Sequence, residues 1–571
     1  MQRFSSFFIL LTLFLLVAPV THGKFNPTDV PNNKYGIHIV EPNDIMEVST
    51  LVNSSGGDWG YVTLVIQEDD RNKEKWQAIF NTMRRMHLIP IVRLATKIEA
   101  DAWKKPTEES AKDWASFLNS LHWPIENRYV VLFNEPNHAN EWGKTIDPSS
   151  YARIATTFAD ALHEASEDYF VLPAGLDVSA SSDGRSLDAA SYLKQMYQAK
   201  PELFELLDGW TSHSYPNPGF SGSAFASGRS TVRSYAWERE YLRSLGINKS
   251  YPIFITETGW VHTFGVTNNF GLLSPEAVGQ ALQQAANVSW ADKDIVAITP
   301  FIFNYQGLPF DHFSWKKLGS NGYYPHYYSY QSIEKLKGQP YQRESYTLEH
   351  PLIPEKLVTN SSVTLTTKIT NNGQSIISHA DGYTIKLDGL HGFTVVTDAL
   401  STIEPNESGE IRMHLQLPST EESYAYTVNL SHGGRNVALQ KGTVTLIPPP
   451  SLTLRITLGW KRVSDSNDAT LLLYDNDELI HKIHGVPIKN GVALISNLTN
   501  VIPNATYRVV VLVPTYLPRQ TIAPIAAQNS TLTIPRMYPF DFDTDGAFTI
   551  ADLWTMFTMA PRDILNLFIT I

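Results

Sequence analysis

The feature that most restricts the fold is an alternation. From Tyr35 to Gln331, short apolar runs and longer segments of helical periodicity follow one another eight times. The candidate strands are Tyr35–Val40, Trp59–Ile66, Ile89–Leu94, Arg128–Phe133, Phe170–Ala174, Gly209–Ser212, Ile253–Thr256 and Ala297–Phe303. Short apolar, β-branched runs of this kind read as buried strands. Between them Lys73–His87, Glu108–His122, Ser149–Ala165 and Pro275–Ala291 repeat apolar residues at i, i+3 and i+4, the spacing of an amphipathic helix. Eight strand–helix units within about 310 residues specify a TIM (β/α)8 barrel. An open doubly wound sheet is the competitor. It needs no eighth strand and usually carries a Gly-rich phosphate turn, which is absent from this sequence.

Beyond Leu348 the helical pattern gives way to period-2 alternation, as in Ser362–Ile369, with Asn371-Asn372-Gly373 as a turn signal. Pro448-Pro449-Pro450 marks a stiff linker, and further short strands follow it. A chain of 571 residues is too long for one core. The expected organisation is multidomain: a barrel over 24–345, an immunoglobulin-like β-sandwich over 346–447, a linker over 448–451, and a second small β-sandwich-like domain over 452–536. A short C-terminal calcium-loop and helix segment, 537–571, completes it.

Met1-Gln2-Arg3, an apolar run from Phe7 to Val20 and the small residues before Lys24 have the form of an export signal, 1–23, cleaved after Gly23. The expectation is a secreted, extracellular protein with no membrane span after cleavage. Absence of cysteine excludes disulfides, thiolate catalysis and Cys-based zinc sites. A net charge of −12 argues against nucleic acid as a partner.

Two segments carry the chemistry. Val130–Phe133 runs into Asn134-Glu135-Pro136, and Ile253–Ile255 runs into Thr256-Glu257-Thr258-Gly259. Each glutamate stands where a strand ends. In a barrel the C-terminal strand ends hold the active site, and two carboxyls at one rim are the minimum equipment for cleaving a glycosidic bond. Taken alone, an Asn-Glu-Pro tripeptide is an ordinary turn or helix start; its pairing with Glu257 in the fourth and seventh strands is what points to catalysis.

Asn134-Glu135-Pro136 after strand four, with Thr256-Glu257 at strand seven, resembles the large clan of retaining (β/α)8 glycoside hydrolases. That resemblance implies Glu135 as acid/base, Glu257 as nucleophile and Asn134 as a contact to the sugar 2-hydroxyl. It also implies substrate-binding roles for Arg93 and Tyr215 around the nucleophile, for His38 and His213 at the rim, and for Trp260 as a stacking platform. Trp142, Tyr305 and Trp315 are further candidate platforms, and Asp177 and Gln67 are weaker rim candidates. Many members of the clan place a Trp at the end of strand eight, where this chain has Phe301-Ile302-Phe303. The implied activity is double-displacement hydrolysis of a β-glycoside in a polysaccharide or oligosaccharide, with no cofactor for catalysis. The alternative is a catalytically inactive carbohydrate-binding or scaffold protein on the same barrel.

Asp541-Phe542-Asp543-Thr544-Asp545-Gly546 and the residues up to Asp552 fit a 12-residue calcium loop. Asp541, Asp543, Asp545, Thr549 and Asp552 supply oxygens at positions 1, 3, 5, 9 and 12. With Asp rather than Glu closing it, the loop resembles one half of a dockerin-type repeat. That implies a structural Ca2+ and two docking expectations, a cohesin-like partner or another part of the same chain.

Overall fold

A computed structural model describes residues 24–558. The export signal expected over 1–23 and the apolar stretch 564–569 lie outside the described residues. The chain divides after Arg343 into two compact units.

The first unit contains eight parallel strands: β1 Gly36–His38, β2 Gly60–Gln67, β3 Leu88–Ala95, β4 Arg128–Leu132, β5 Tyr169–Pro173, β6 Trp210–His213, β7 Ile253–Glu257 and β8 Ile295–Ile298. β1 to β5 pair in sequence as one sheet and β6 to β8 as another. Single parallel bridges, Asp177 to His213 and Tyr35 to Ile298, join the two sheets at both seams and close the ring. β8 stops short of the expected Ala297–Phe303. Pro300, which has no N–H to give a ladder, lies two residues beyond its end.

Side-chain alternation divides the strands between two cores. Tyr61, Ile89, Ile91, Tyr129, Val131, Phe170, Leu172 and Phe254 fill the lumen as one cluster. Their neighbours Val62, Val92, Val130, Val171, Ile253 and Ile255 join the apolar faces of the surrounding helices in a larger one. Burying each such side chain stabilises the fold by about 1.5–3 kcal/mol. In the lumen the Tyr129 ring lies 5.2 Å from both Phe170 and Phe254. The helices start where the sequence provides caps: Asp147 accepts from Ser150 N ahead of Pro148–Ala165, and Ser274 accepts from Ala277 N ahead of Pro275–Asn287.

The second unit is built from strands, up to its terminal helix. Tyr346–Leu348, Ser362–Asn371, Ser408–Gln416 and Thr394–Thr397 make one sheet, and Lys356–Val358, Arg435–Ile447, Ser423–His432 and Thr384–Asp388 another. The two enclose a common core with Leu365, Met413, Val428 and Val444 at its centre. A three-stranded and a five-stranded sheet built from residues 451–541 enclose a second core around Leu454, Leu471, Val509 and Met537. Both are two-layer sandwiches in which alternate residues face inward. Helix Ile550–Thr558 follows the acidic loop. Among the described residues no helix is long and apolar enough to cross a membrane.

Candidate active site

The C-terminal ends of the eight strands bring together seven of the residues named from the sequence. Arg93 arrives by alternation: Ile89 and Ile91 point into the lumen, so Arg93 shares their face at the end of β3. Glu257 is the last residue of β7, and His213 and Tyr215 end and follow β6. His38 ends β1.

Glu135 sits on a constrained turn. Phe133 and Glu135 have φ of 73° and 27°, a region that non-glycine residues seldom occupy and that costs about 1–3 kcal/mol each. The turn is tied down by its surroundings. Glu135 N donates to Gly175 O at 3.1 Å, and His138 N donates to Glu135 O at 2.9 Å. Asn137 donates to the carbonyls of Asp177 and Leu187. His138 Nε2 lies 2.9 Å from Asp177 Oδ2. Burial alone would raise the pKa of Asp177, but bonds from His138 and Ser179 bring it down to about 2. Asp177 therefore clamps the Glu135 turn. Gln67 is exposed.

Charge organises the centre. Arg93 Nη1 donates to Glu257 Oε1 at 2.6 Å and to Asn134 Oδ1 at 2.5 Å, and the Tyr215 hydroxyl donates to Glu257 Oε2 at 3.0 Å. Burial would raise the pKa of Glu257, but His213, Arg93, His38 and Tyr215 outweigh it and hold it below the ordinary range. Burial together with the charge of Glu257 keeps the Tyr215 hydroxyl protonated, as a donor must be. His213 Nδ1 lies 2.7 Å from Glu135 Oε1 and 3.8 Å from Glu257 Oε2. Burial would lower the pKa of His213; the two glutamates overcome that and raise it. His38 is different. Burial and Arg93 bring it down to about 3, so it stays neutral and faces Glu257 as a dipole at 3.9 Å. Both of its ring nitrogens are buried and accept or donate no hydrogen bond.

One carboxylate oxygen each of Glu135 and Glu257 and a ring nitrogen of His213 lie within 4.8 Å of one another. Such a triad could surround a cation, but the Arg93 guanidinium already occupies one face of Glu257 with positive charge. In the second unit, oxygens of Asp541, Asp543 and Asp552 approach one another within the same distance. Asp552 is buried and accepts from Phe542 N and Thr549 N, while Asp541 Oδ1 accepts from Gly546 N. Asp545 and Thr549 lie in the same loop, the first accepting from Ala547 N and the second donating to Asp552 Oδ2.

Trp260 is a correction. It is 3% exposed, its Nε1 donates to Gly222 O, and its ring packs 6.2 Å from Trp290 in the helix-side core. The chain turns outward at Gly259, whose φ of 134° carries the next side chain away from the mouth. Trp142 and Trp315 are likewise buried, and no face of these three is free for a sugar. Tyr305 is half-buried on the β8 side of the mouth, 5.4 Å from Phe310.

Three further positions at the mouth are given no role by the sequence reading. Glu141, seven residues beyond Asn134, accepts from Asn134 Nδ2 at 3.1 Å. Burial, then the charge of Glu135, pushes its pKa up to about 7. Gly175 underlies His213: a Cβ there would come within 2.2 Å of the ring. Phe301 stands at the end of β8, its ring 5.2 Å from His38. Phe301 left a signal in its place after the eighth candidate strand; the Glu141 contact depends on how the loop it shares with Asn134 folds, and Gly175 meets a residue of another strand.

No family model and no curated protein matches this chain. Solved structures of glycoside hydrolases resemble it at low identity. A family 39 glycoside hydrolase from the gut symbiont Bacteroides cellulosilyticus WH2 is 15% identical over 68% of this chain and 82% of its own, with a TM-score of 0.37. A calcium-binding mutant of Bacteroides uniformis β-glucuronidase 2 is 9% identical over 82% of this chain and 64% of its own, with a TM-score of 0.36. An endo-1,4-β-mannanase from Eisenia fetida is 9% identical over 53% of this chain and 91% of its own, with a TM-score of 0.33.

Proposed function

We propose that this protein is a secreted retaining β-glycoside hydrolase acting by double displacement. The observation that carries the reading is the pair of carboxylates at one barrel mouth, with oxygens within 4.8 Å of each other. Retaining enzymes hold their carboxyls about 5–5.5 Å apart, whereas inverting enzymes leave about 6.5–9.5 Å for a water.

In the first step Glu257, kept ionised by Arg93, His213 and Tyr215, attacks the anomeric carbon. The C–O bond to the leaving group breaks, and its oxygen takes a proton from Glu135. The products are a glycosyl ester on Glu257 and the free aglycone. In the second step Glu135 removes a proton from water, the resulting hydroxide attacks the same carbon, and the ester bond returns its electrons to Glu257. His213 supports both steps, because its raised pKa keeps a proton within reach of Glu135. Asn134 spends its carbonyl on Arg93 and one amide proton on Glu141. Its second amide proton is left for a sugar hydroxyl.

The test is turnover of aryl β-glycosides of several sugars. The native chain should be active, Glu257→Ala inactive and partly rescued by azide, and Glu135→Ala impaired far more on poor leaving groups than on activated ones. Equal impairment on both would remove the acid/base role. No turnover of any sugar would favour the carbohydrate-binding alternative. The same reading extends to a structural calcium held by Asp541, Asp543, Asp545, Thr549 and Asp552, and to export of the chain.

A further inference from the structure

The loops after β6, β7 and β8 carry apolar side chains that the hydrolytic chemistry leaves unused. They rise on the same face as Glu135 and Glu257, since all follow C-terminal strand ends. They are bound into one wall: Val261 N donates to Phe220 O at 3.2 Å, and His262 N donates to His312 O at 2.9 Å.

Aromatic rings run through this wall from the nucleophile to the surface. Tyr215, whose hydroxyl bonds Glu257, has its ring 5.1 Å from Phe220 and 5.9 Å from Phe313. Phe313 lies 5.6 Å from Phe301, which lies 5.1 Å from Phe310. The series ends in water. Phe220 is 37% and Phe310 41% exposed, and Leu308, two residues from Phe310, is 72% exposed. On the β7 loop Phe270 is 82% exposed. Scattered apolar side chains on a surface need no explanation, but a wall continuous with a ligand site marks where ligand lies.

We propose that this wall binds a hydrocarbon aglycone, an alkyl or acyl chain joined to the sugar that is cleaved. The inference rests on the hydrolase reading and narrows its substrate class to amphiphilic glycosides. Continuity decides that the occupant is part of the substrate, because a group that covers Phe310 and Phe220 while a sugar meets Glu257 is attached to that sugar. Chemistry decides that it is hydrocarbon. A sugar platform combines a ring face with polar groups that bond hydroxyls, whereas the most exposed side chains of the wall, Phe220, Phe270, Leu308 and Phe310, have no polar tip, and Tyr305 beside Phe310 adds a single hydroxyl.

The experiment measures kcat/KM for methyl, hexyl and decyl β-glycosides of glucose, mannose and xylose below micellar concentrations, beside β-linked di- to tetrasaccharides. In parallel, titration calorimetry measures binding of the S-linked alkyl analogues to Glu257→Ala. The expected result is a rise in both with chain length, by up to about fourfold per methylene that the wall covers. Leu308→Ser and Phe310→Ser should reduce that slope, with an unchanged melting temperature confirming that each variant folds. Turnover or binding without dependence on alkyl length overturns the inference and leaves the hydrolase reading intact. So does a larger gain per added sugar than per hexyl group. Chain-length-dependent binding without turnover of any glycoside sustains the apolar site and sinks the hydrolase reading instead.

Discussion

Replacing Arg93 by Met keeps a similar stem and removes the guanidinium that faces both Glu257 and Asn134. Arg93 and Glu257 are well shielded, with side-chain exposures of 14% and 10%, and their contact is 2.6 Å. At an effective dielectric constant near 20, Coulomb attraction at that distance is about 6 kcal/mol. His213 and Tyr215 remain to support Glu257, so the loss should fall to the range for breaking a buried pair, about 3–5 kcal/mol. Losing that partner moves the pKa of Glu257 up. The sign follows from the proton count. Native Glu257 has a depressed pKa, so its ionised form helps stability above the unfolded value and loses that help as pH falls through the folded one. Without Arg93 the carboxyl takes its proton at higher pH, and activity is lost from the acid side first. The assay is kcat/KM against pH on an activated aryl glycoside. Arg93→Met should move the acidic limb to higher pH and lower the neutral-pH value by 100-fold or more. An unmoved acidic limb with only a raised KM would refute the argument and make Arg93 a mere substrate contact.

Gly175→Ala should lower kcat/KM by at least tenfold on poor leaving groups, because the new methyl meets the His213 ring at 2.2 Å and pushes it off Glu135; unchanged activity would show that the ring has room to move. Glu238, 1% exposed behind β6, has its pKa raised by burial to about 7. Its neutral form helps the fold below the unfolded value near 4.5, and that help is lost as pH rises through about 7. Glu238→Gln should therefore flatten the fall in melting temperature between about pH 4.5 and pH 7, by an amount worth roughly 3 kcal/mol. Parallel melting curves for the two chains would contradict the buried-acid account. Calcium at about 100 times its Kd should stabilise the C-terminal unit by about 2.7 kcal/mol, raising its transition by several degrees. The shift should vanish in EDTA and in Asp541→Asn/Asp543→Asn, and calorimetry without any calcium-dependent transition would remove the site.

How much of this was legible in the chain depended on how local each cause is. Glu135 and Glu257 could be named because a strand end is a local event, an apolar run broken by an acidic residue and a turn-former. Arg93 could be named because period 2 carries it onto the face of Ile89 and Ile91. Trp260 misled for the converse reason. It follows Glu257 by three residues, but the backbone direction at Gly259 sends it to Trp290 and away from the mouth. Gly175 gave no signal because it acts on a residue of another strand, and Glu141 gave none because its contact with Asn134 depends on how their shared loop folds.

By itself the sequence determined the alternation of strands and helices, the alternate faces of each strand, the rim positions of the two glutamates, and the spacing of oxygens in the C-terminal loop. All of these follow from short-range periodicity and backbone preference. Tertiary structure alone decided that Arg93 bridges Glu257 to Asn134, that both ring nitrogens of His38 are buried, and that three loops raise a phenylalanine wall beside the nucleophile. Those outcomes require ring closure, which brings side chains 164 residues apart, such as Arg93 and Glu257, within hydrogen-bonding distance. Burial at that closed mouth then sets which groups are charged, and no window of neighbouring residues contains that information.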